Sequence, residues 1–186
     1  MNILKGDLGT SIRTKKPVIQ EIKDKYRYSI ILAVGGTIVA AILGVSMGIA
    51  SAIEHNKFLD NFLMVISLVS VSAPSFFLAL ILIIVFSLFL GWFPSTGVYS
   101  WRHYILPIFA LGTQSVGLIA RMTRSAMLDV LNQDYITTAK AKGASWFSVI
   151  FSHALKNAMI PVLTILGLRF GGLLAGSALI LSLIHI

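Results

Sequence analysis

The chain has 186 residues, of which 56% are hydrophobic and only 12% charged, with a mean hydropathy of +0.88. Soluble domains carry about 25% charged residues, so this composition excludes an ordinary soluble enzyme and points to an integral membrane protein. The net charge of +8 does not signal nucleic acid, because Lys and Arg gather in two blocks, residues 1–28 and 121–156, as they do at the flanks of membrane spans.

In chain order, residues 1–27 are polar and hold seven Lys or Arg, unlike a signal peptide. Four apolar stretches follow that are long enough to cross a bilayer as helices, at about 28–53, 62–90, 103–120 and 159–180. They are continuously apolar rather than alternating, which favours helices over barrel strands. The fold class read from this pattern is all-α, a polytopic transmembrane helical bundle. Pro74 falls inside the second stretch and predicts a kink, because it removes a backbone hydrogen bond. The third stretch is less apolar and has Pro107 near its first turn. Gly44 and Gly48, Gly167 and Gly171, and Gly172 and Gly176 are pairs at four-residue spacing, which lets helix backbones approach closely where lipid offers no hydrophobic driving force. No Asp or Glu lies inside any of the four stretches.

The block at 121–157 differs from the apolar stretches around it. Ile136, Ala139, Gly143, Trp146 or Phe147, Ile150 and Ala154 recur at three- and four-residue spacing and share one helical face. Gly143 is suited to end one helix and start another, so the pattern predicts two short amphipathic helices. One reading lays them in the lipid interface with Trp146 as an aromatic anchor. The other inserts their apolar face into a groove of a soluble partner. Four spans place residues 1–28 and 121–156 on opposite sides of the membrane, and the positive-inside rule cannot satisfy both.

"DYITTAKAKGASWFSVIFSHALKNAMIPVLT" resembles the cytoplasmic EAA-type loop of binding-protein-dependent ABC permeases, and more narrowly that of the oligopeptide/dipeptide/nickel-type subunits. "GDLGTSIRTKKPVIQEI", "APSFFLALILIIVFSLFLGWFPSTG" and "RMTRSAMLDVLNQDYITTAKAKG" match the same subfamily in order along the chain. Two features depart from the general motif: Thr137, Thr138 and Ala139 stand where Glu-Ala-Ala is usual, and Pro161 lies beyond the general spacing.

The resemblance implies a type I importer permease fold in a bacterial or archaeal plasma (inner) membrane, with cytoplasmic coupling helices. It implies that Thr138, Ala139, Lys140, Ala141, Lys142, Gly143, Ala144 and Trp146 contact a cytosolic ABC ATPase. A second permease subunit and an extracytoplasmic substrate-binding protein complete the implied assembly, which would import peptides or nickel. The chain has no GxxxxGK[ST] stretch, so ATP and Mg²⁺ would be bound by the separate ATPase. The block is then cytoplasmic, residues 1–27 form an external segment, and a further span is expected before Met1. The family continues differently after residue 180. Residues 181–186 can be encoded by a transposase-end sequence used in sequencing libraries, and are expected to be a non-native tail.

Arg169 is the one charge in the last apolar stretch and would cost about 2.5–3.5 kcal/mol against lipid. It is read either as a translocation-path residue that attracts a substrate carboxylate or as a snorkelling or packing Arg. The absence of cysteine excludes disulfides and thiolate metal sites, and the four histidines lack metal-binding spacing. Asp129 and Asp134 are read as helix-flanking residues, and no nucleophile motif accompanies the Ser and Thr residues. No catalytic residue is assigned. The alternative function is an uncharged channel, or a membrane transport or interaction subunit that needs no ATPase.

Overall fold

The computed structural model describes residues 8–12, 15–97 and 99–183. Its elements are α1 (Val18–Ile53), α2 (Phe58–Ser72), α3 (Ser75–Leu82) continued by a π-helical stretch (Ile83–Phe89), α4 (Arg102–Leu131), α5 (Asp134–Ala141), and α6 (Leu155–Leu183) preceded by a second π-helical stretch (Ser148–Ala154). Three helical stretches are long and apolar enough to cross a membrane, and the broken pair of α2 and α3 is a fourth candidate.

α4 is the central helix. More than half of its apolar stretch is buried, against about a third or less for α1 and α6. This explains why it is the least apolar of the spans: its neighbours are protein rather than lipid. Its main neighbour is α1, whose buried face carries Gly36, Ala40, Gly44, Gly48 and Ala52 at strict four-residue spacing. A Cβ placed on Gly44 would lie 2.7 Å from the Ile119 Cγ2, and one on Gly48 would lie 2.6 Å from the Ala120 carbonyl oxygen. The two backbones therefore meet along a groove that only small residues leave open. The other glycine pairs behave differently. Cβ atoms on Gly167, Gly171 or Gly172 would meet nothing within 4 Å, so α6 has no close partner at these positions among the described residues. The surroundings of Gly176 lie outside the described residues.

Several boundaries differ from the sequence expectation. Residues 18–27, assigned to the external segment, are the first turns of α1. At about 1.5 Å per residue, its 36 residues span ~54 Å, against the ~30 Å of a bilayer's hydrocarbon core. The α1 helix continues past the apolar stretch because nothing in "VIQEIKDKYRY" breaks it. The stretch 62–90 is no single kinked helix: α2 and α3 meet at 102°. Ala73, forced out of the α region by the following proline, is extended at φ −79° and ψ 125°. Pro74 also lacks the N–H that would continue the ladder. The hydroxyls of Ser70 and Ser72 donate to the carbonyls of Ile66 and Leu68, a back-bonding that loosens the turns before the break.

The block 121–157 also resolves differently. Residues 121–131 belong to α4, and α5 is the one short helix. The second expected short helix is the start of the last span, because no glycine or proline interrupts residues 146–160. Within the 181–186 tail, residues 181–183 continue α6, and residues 184–186 lie outside the described residues.

Candidate partner-docking site

α5 is a helix of eight residues bounded by clear signals. Asp134 stands in its first turn and Lys140 in its last, each with favourable charge for that end of the helix dipole. At its C-terminus Gly143 takes φ +81°. The Gly143 N–H donates to the Lys140 carbonyl and the Ala144 N–H to the Ala139 carbonyl, the two bonds of a Schellman motif. Two residues later Ser145 Oγ accepts from the Ser148 N–H at 3.3 Å and caps the next helix. The sequence Gly-Ala-Ser thus stops one helix and starts another within three residues.

One side chain attaches α5 to the bundle. Ile136 is its only buried residue, fully enclosed among Ala52 of α1, Ala126 and Met127 of α4, and Val149, Ile150 and Ala154 ahead of α6. Asn157 Nδ2 adds a hydrogen bond, donating to the Tyr135 hydroxyl at 2.8 Å. The rest of α5 faces outward. Thr138, Lys140, Ala141, Lys142, Gly143 and Trp146 are exposed, and Ala139 and Ala144 are half-buried.

The eight residues marked from the sequence do not form one patch. Thr138, Ala139, Lys142, Gly143 and Ala144 line an open cleft of about 530 Å³ together with Tyr135 and His153. Lys140 and Ala141 do not line it. Trp146 belongs to a separate aromatic run, edge-on to Phe147, which stacks on Phe151 at 5.7 Å between ring centroids. All three rings are exposed, as suits an aromatic belt at a membrane interface. Arg169 is exposed on α6, across the helix from Gly167 and Gly171, with no ion pair among the described residues.

Beneath this surface lies a polar cluster that the sequence reading missed. Asp60, in the first turn of α2, is almost completely buried at 1% exposure. Its Oδ1 accepts hydrogen bonds from Ser51 Oγ and from Arg124 Nε, the latter at 2.7 Å. Its Oδ2 accepts from the Asn56 N–H at 2.9 Å and from Arg124 Nη2 at 2.6 Å. Four donors thus satisfy the carboxylate's acceptor positions. His55 Nδ1 lies 2.9 Å from Arg124 Nη2 and 3.4 Å from Asp60 Oδ2. Asn56 holds the turn in the left-handed region at φ +61°, which Asn adopts more readily than most residues.

Asp60 corrects the expectation that no acid lies within a span helix. It stands two residues ahead of the apolar stretch that begins at 62, after "EHNKFL", and so falls outside the span as the hydropathy bounds it. Arg124 was overlooked because it fell in the basic block. Nothing in the linear pattern pairs two residues 64 positions apart.

The description of one protein-family model, binding-protein-dependent transport system inner membrane component, matches residues 44–186, a stretch that holds α2 to α6 and the whole docking surface. The chain belongs to that family. Its relatives include the glutathione transport system permease proteins GsiC of Salmonella typhimurium (strain LT2) and of Escherichia coli (strain K12), each 42% identical over 179 residues. The same protein of Escherichia coli O6:H1 is 43% identical. These matches cover 96% of this chain and 58% of each relative, so the chain spans less than two thirds of the relatives' length. Membership makes this chain an inner-membrane transport component, and its all-α bundle of membrane-spanning helices is in keeping with that.

Proposed function

We propose that this chain forms part of the translocation pathway of an ATP-driven importer, and that α5 is the helix through which a separate cytosolic ATPase moves it. One observation supports this most: a single buried anchor, Ile136, fixes α5 to the ends of three spanning helices, while beside it the C-terminal half of α5 opens on a cleft that no described residue fills. A helix anchored this way transmits displacement into the bundle instead of absorbing it. The small residues Ala139, Gly143 and Ala144 permit close approach by the ATPase, and Lys142 supplies charge at the cleft. ATP and Mg²⁺ belong to the ATPase. With α5 in the cytoplasm, the 89–101 connection and the N-terminal end of α1 face the opposite side, where a substrate-binding protein would deliver its cargo.

The substrate class assigned is a short peptide, glutathione included, in preference to nickel, on the strength of the relatives that carry that name. Inside a membrane the exposed Arg169 needs cover by protein or water, and the bare glycines of α6 leave room for a closely packed helix. A second permease subunit would close this face and leave Arg169 toward the pathway, where it would attract a substrate carboxylate.

A photo-crosslinking residue at Lys142 in the purified transporter, copurified with its ATPase, tests the docking. The expected product joins this subunit to the ATPase and diminishes when ATP is hydrolysed. A crosslink to lipid alone, with none to the ATPase, would overturn the assignment.

A further inference from the structure

We propose that the Asp60–Arg124 pair is a clamp that makes the α1–α2 turn and the α5 end of α4 move as one body, carrying displacement of α5 toward the elbow between α2 and α3. This rests on the reading of α5 as the helix an ATPase moves. α4 joins α5 through only Asn132 and Gln133, so a shift of α5 is imposed on α4. What α4 then imposes on its neighbours depends on how it is attached to them.

Most of that attachment is smooth. Gly44 and Gly48 of α1 rest against Ile119, Ala120 and Thr123, and Gly117 of α4 lies against the Ser67 carbonyl of α2. Such contacts set the distance between helices, but they are non-directional and hold the register along the axis weakly. The clamp is directional. The planar guanidinium of Arg124 engages both oxygens of Asp60 through two separate nitrogens, a fork that tolerates little sliding.

The carboxylate is held equally firmly from the other side, by the Ser51 hydroxyl at the end of α1 and by the Asn56 N–H in the turn. One buried group therefore joins three helices. Parting them would strand the enclosed carboxylate of Asp60 without its partners, so the three ends shift together. A well-packed apolar pair could hold these helices equally well, and a buried ion pair at this level is better explained by register than by stability.

The far ends are not clamped in this way. α3 packs through Ala79 on Leu32, Ala33, Ala110 and Leu111, all apolar. Between clamp and apolar contact stands the 102° break at Pro74, where no continuous helix resists bending. Movement fixed at Asp60 is thus released at the elbow.

The test uses the assembled transporter in proteoliposomes, with substrate imported and ATP hydrolysed measured together. Asp60→Asn and Arg124→Lys each abolish the charged fork, and Arg124→Lys retains a cation for Asp60. Both are expected to lower import per ATP hydrolysed about five- to tenfold, the span of a modest coupling between sites, with assembled complex and ATP hydrolysis maintained. The double variant Asp60→Asn with Arg124→Met carries no buried charge. It is expected to assemble even where a single variant does not, yet to stay uncoupled. Import per ATP at the original level in any assembled variant would overturn the clamp. Loss of assembly in the singles, restored together with full coupling in the double, would reduce the pair to a structural role. If the unaltered transporter hydrolyses no ATP during import, the reading of α5 falls instead.

Discussion

Replacing Ile136 by alanine tests how α5 is attached. The side chain is fully enclosed, and the substitution removes three carbons beyond Cβ, about 2.4 kcal/mol at ~0.8 kcal/mol per carbon. The cavity left behind adds to this. Ala52, Ala126 and Ala154 have no rotamers with which to fill it, so the total should be about 3 kcal/mol, within the range for such core truncations. An isolated helix of eight residues has no stability of its own, and the Tyr135–Asn157 hydrogen bond contributes only about 1 kcal/mol. Three kcal/mol is about two decades in the ratio of docked to undocked α5. Hydrogen exchange on the reconstituted transporter reads this directly. Amides in residues 134–143 should exchange about a hundredfold faster, while those in the middle of α4 stay unchanged, and ATP-driven uptake should fall with them. The milder Ile136→Val, costing about 0.5–1.5 kcal/mol, should fall between. If Ile136→Ala leaves α5 as protected as before, Ile136 is not the anchor and the transmission of movement through it is wrong.

Gly48→Ala places a methyl group 2.5 Å from the Thr123 Cβ and 2.6 Å from a backbone oxygen of α4, whereas Gly167→Ala meets open space. Overpacking of about 1–3 kcal/mol should lower the thermal midpoint by several degrees for Gly48→Ala, with none of that change within this subunit for Gly167→Ala; equal midpoints would remove the close approach of α1 and α4. Arg169→Gln should leave assembly intact and weaken uptake of a carboxylate-bearing substrate, and unchanged uptake would remove the substrate role.

Much of the molecule was legible in its residues because the controlling physics is local. Hydrocarbon demands helices of sufficient length, so four apolar runs were enough to give the class of fold. The end of α5 was legible for the same reason, since Gly143 stops the helix by reaching a positive φ; the periodicity put Ile136 on an apolar face meant for lipid or a partner's groove, whereas the structure turns it into the bundle. The small residues at four-residue spacing in α1 also carried their own message, although the identical spacing in α6 found no partner here. Packing depends on what lies opposite, which spacing alone cannot state. The resemblance carried by the α5 block pointed to the family that the matched region then supported.

What only the tertiary structure decided concerns residues far apart in the chain. Pro74 announced a disturbance, yet whether it would kink or break the helix depended on the cover around it. The second half of the α5 block reads as a separate amphipathic helix because polar residues recur along it, whereas it runs through the second π-helical stretch straight into α6. Asp60 and Arg124 each read as ordinary flanking charges. Their meaning arises from a fork across 64 positions, closed because α1, α2 and α4 bring their ends to one point and bury the Asp60 carboxylate there.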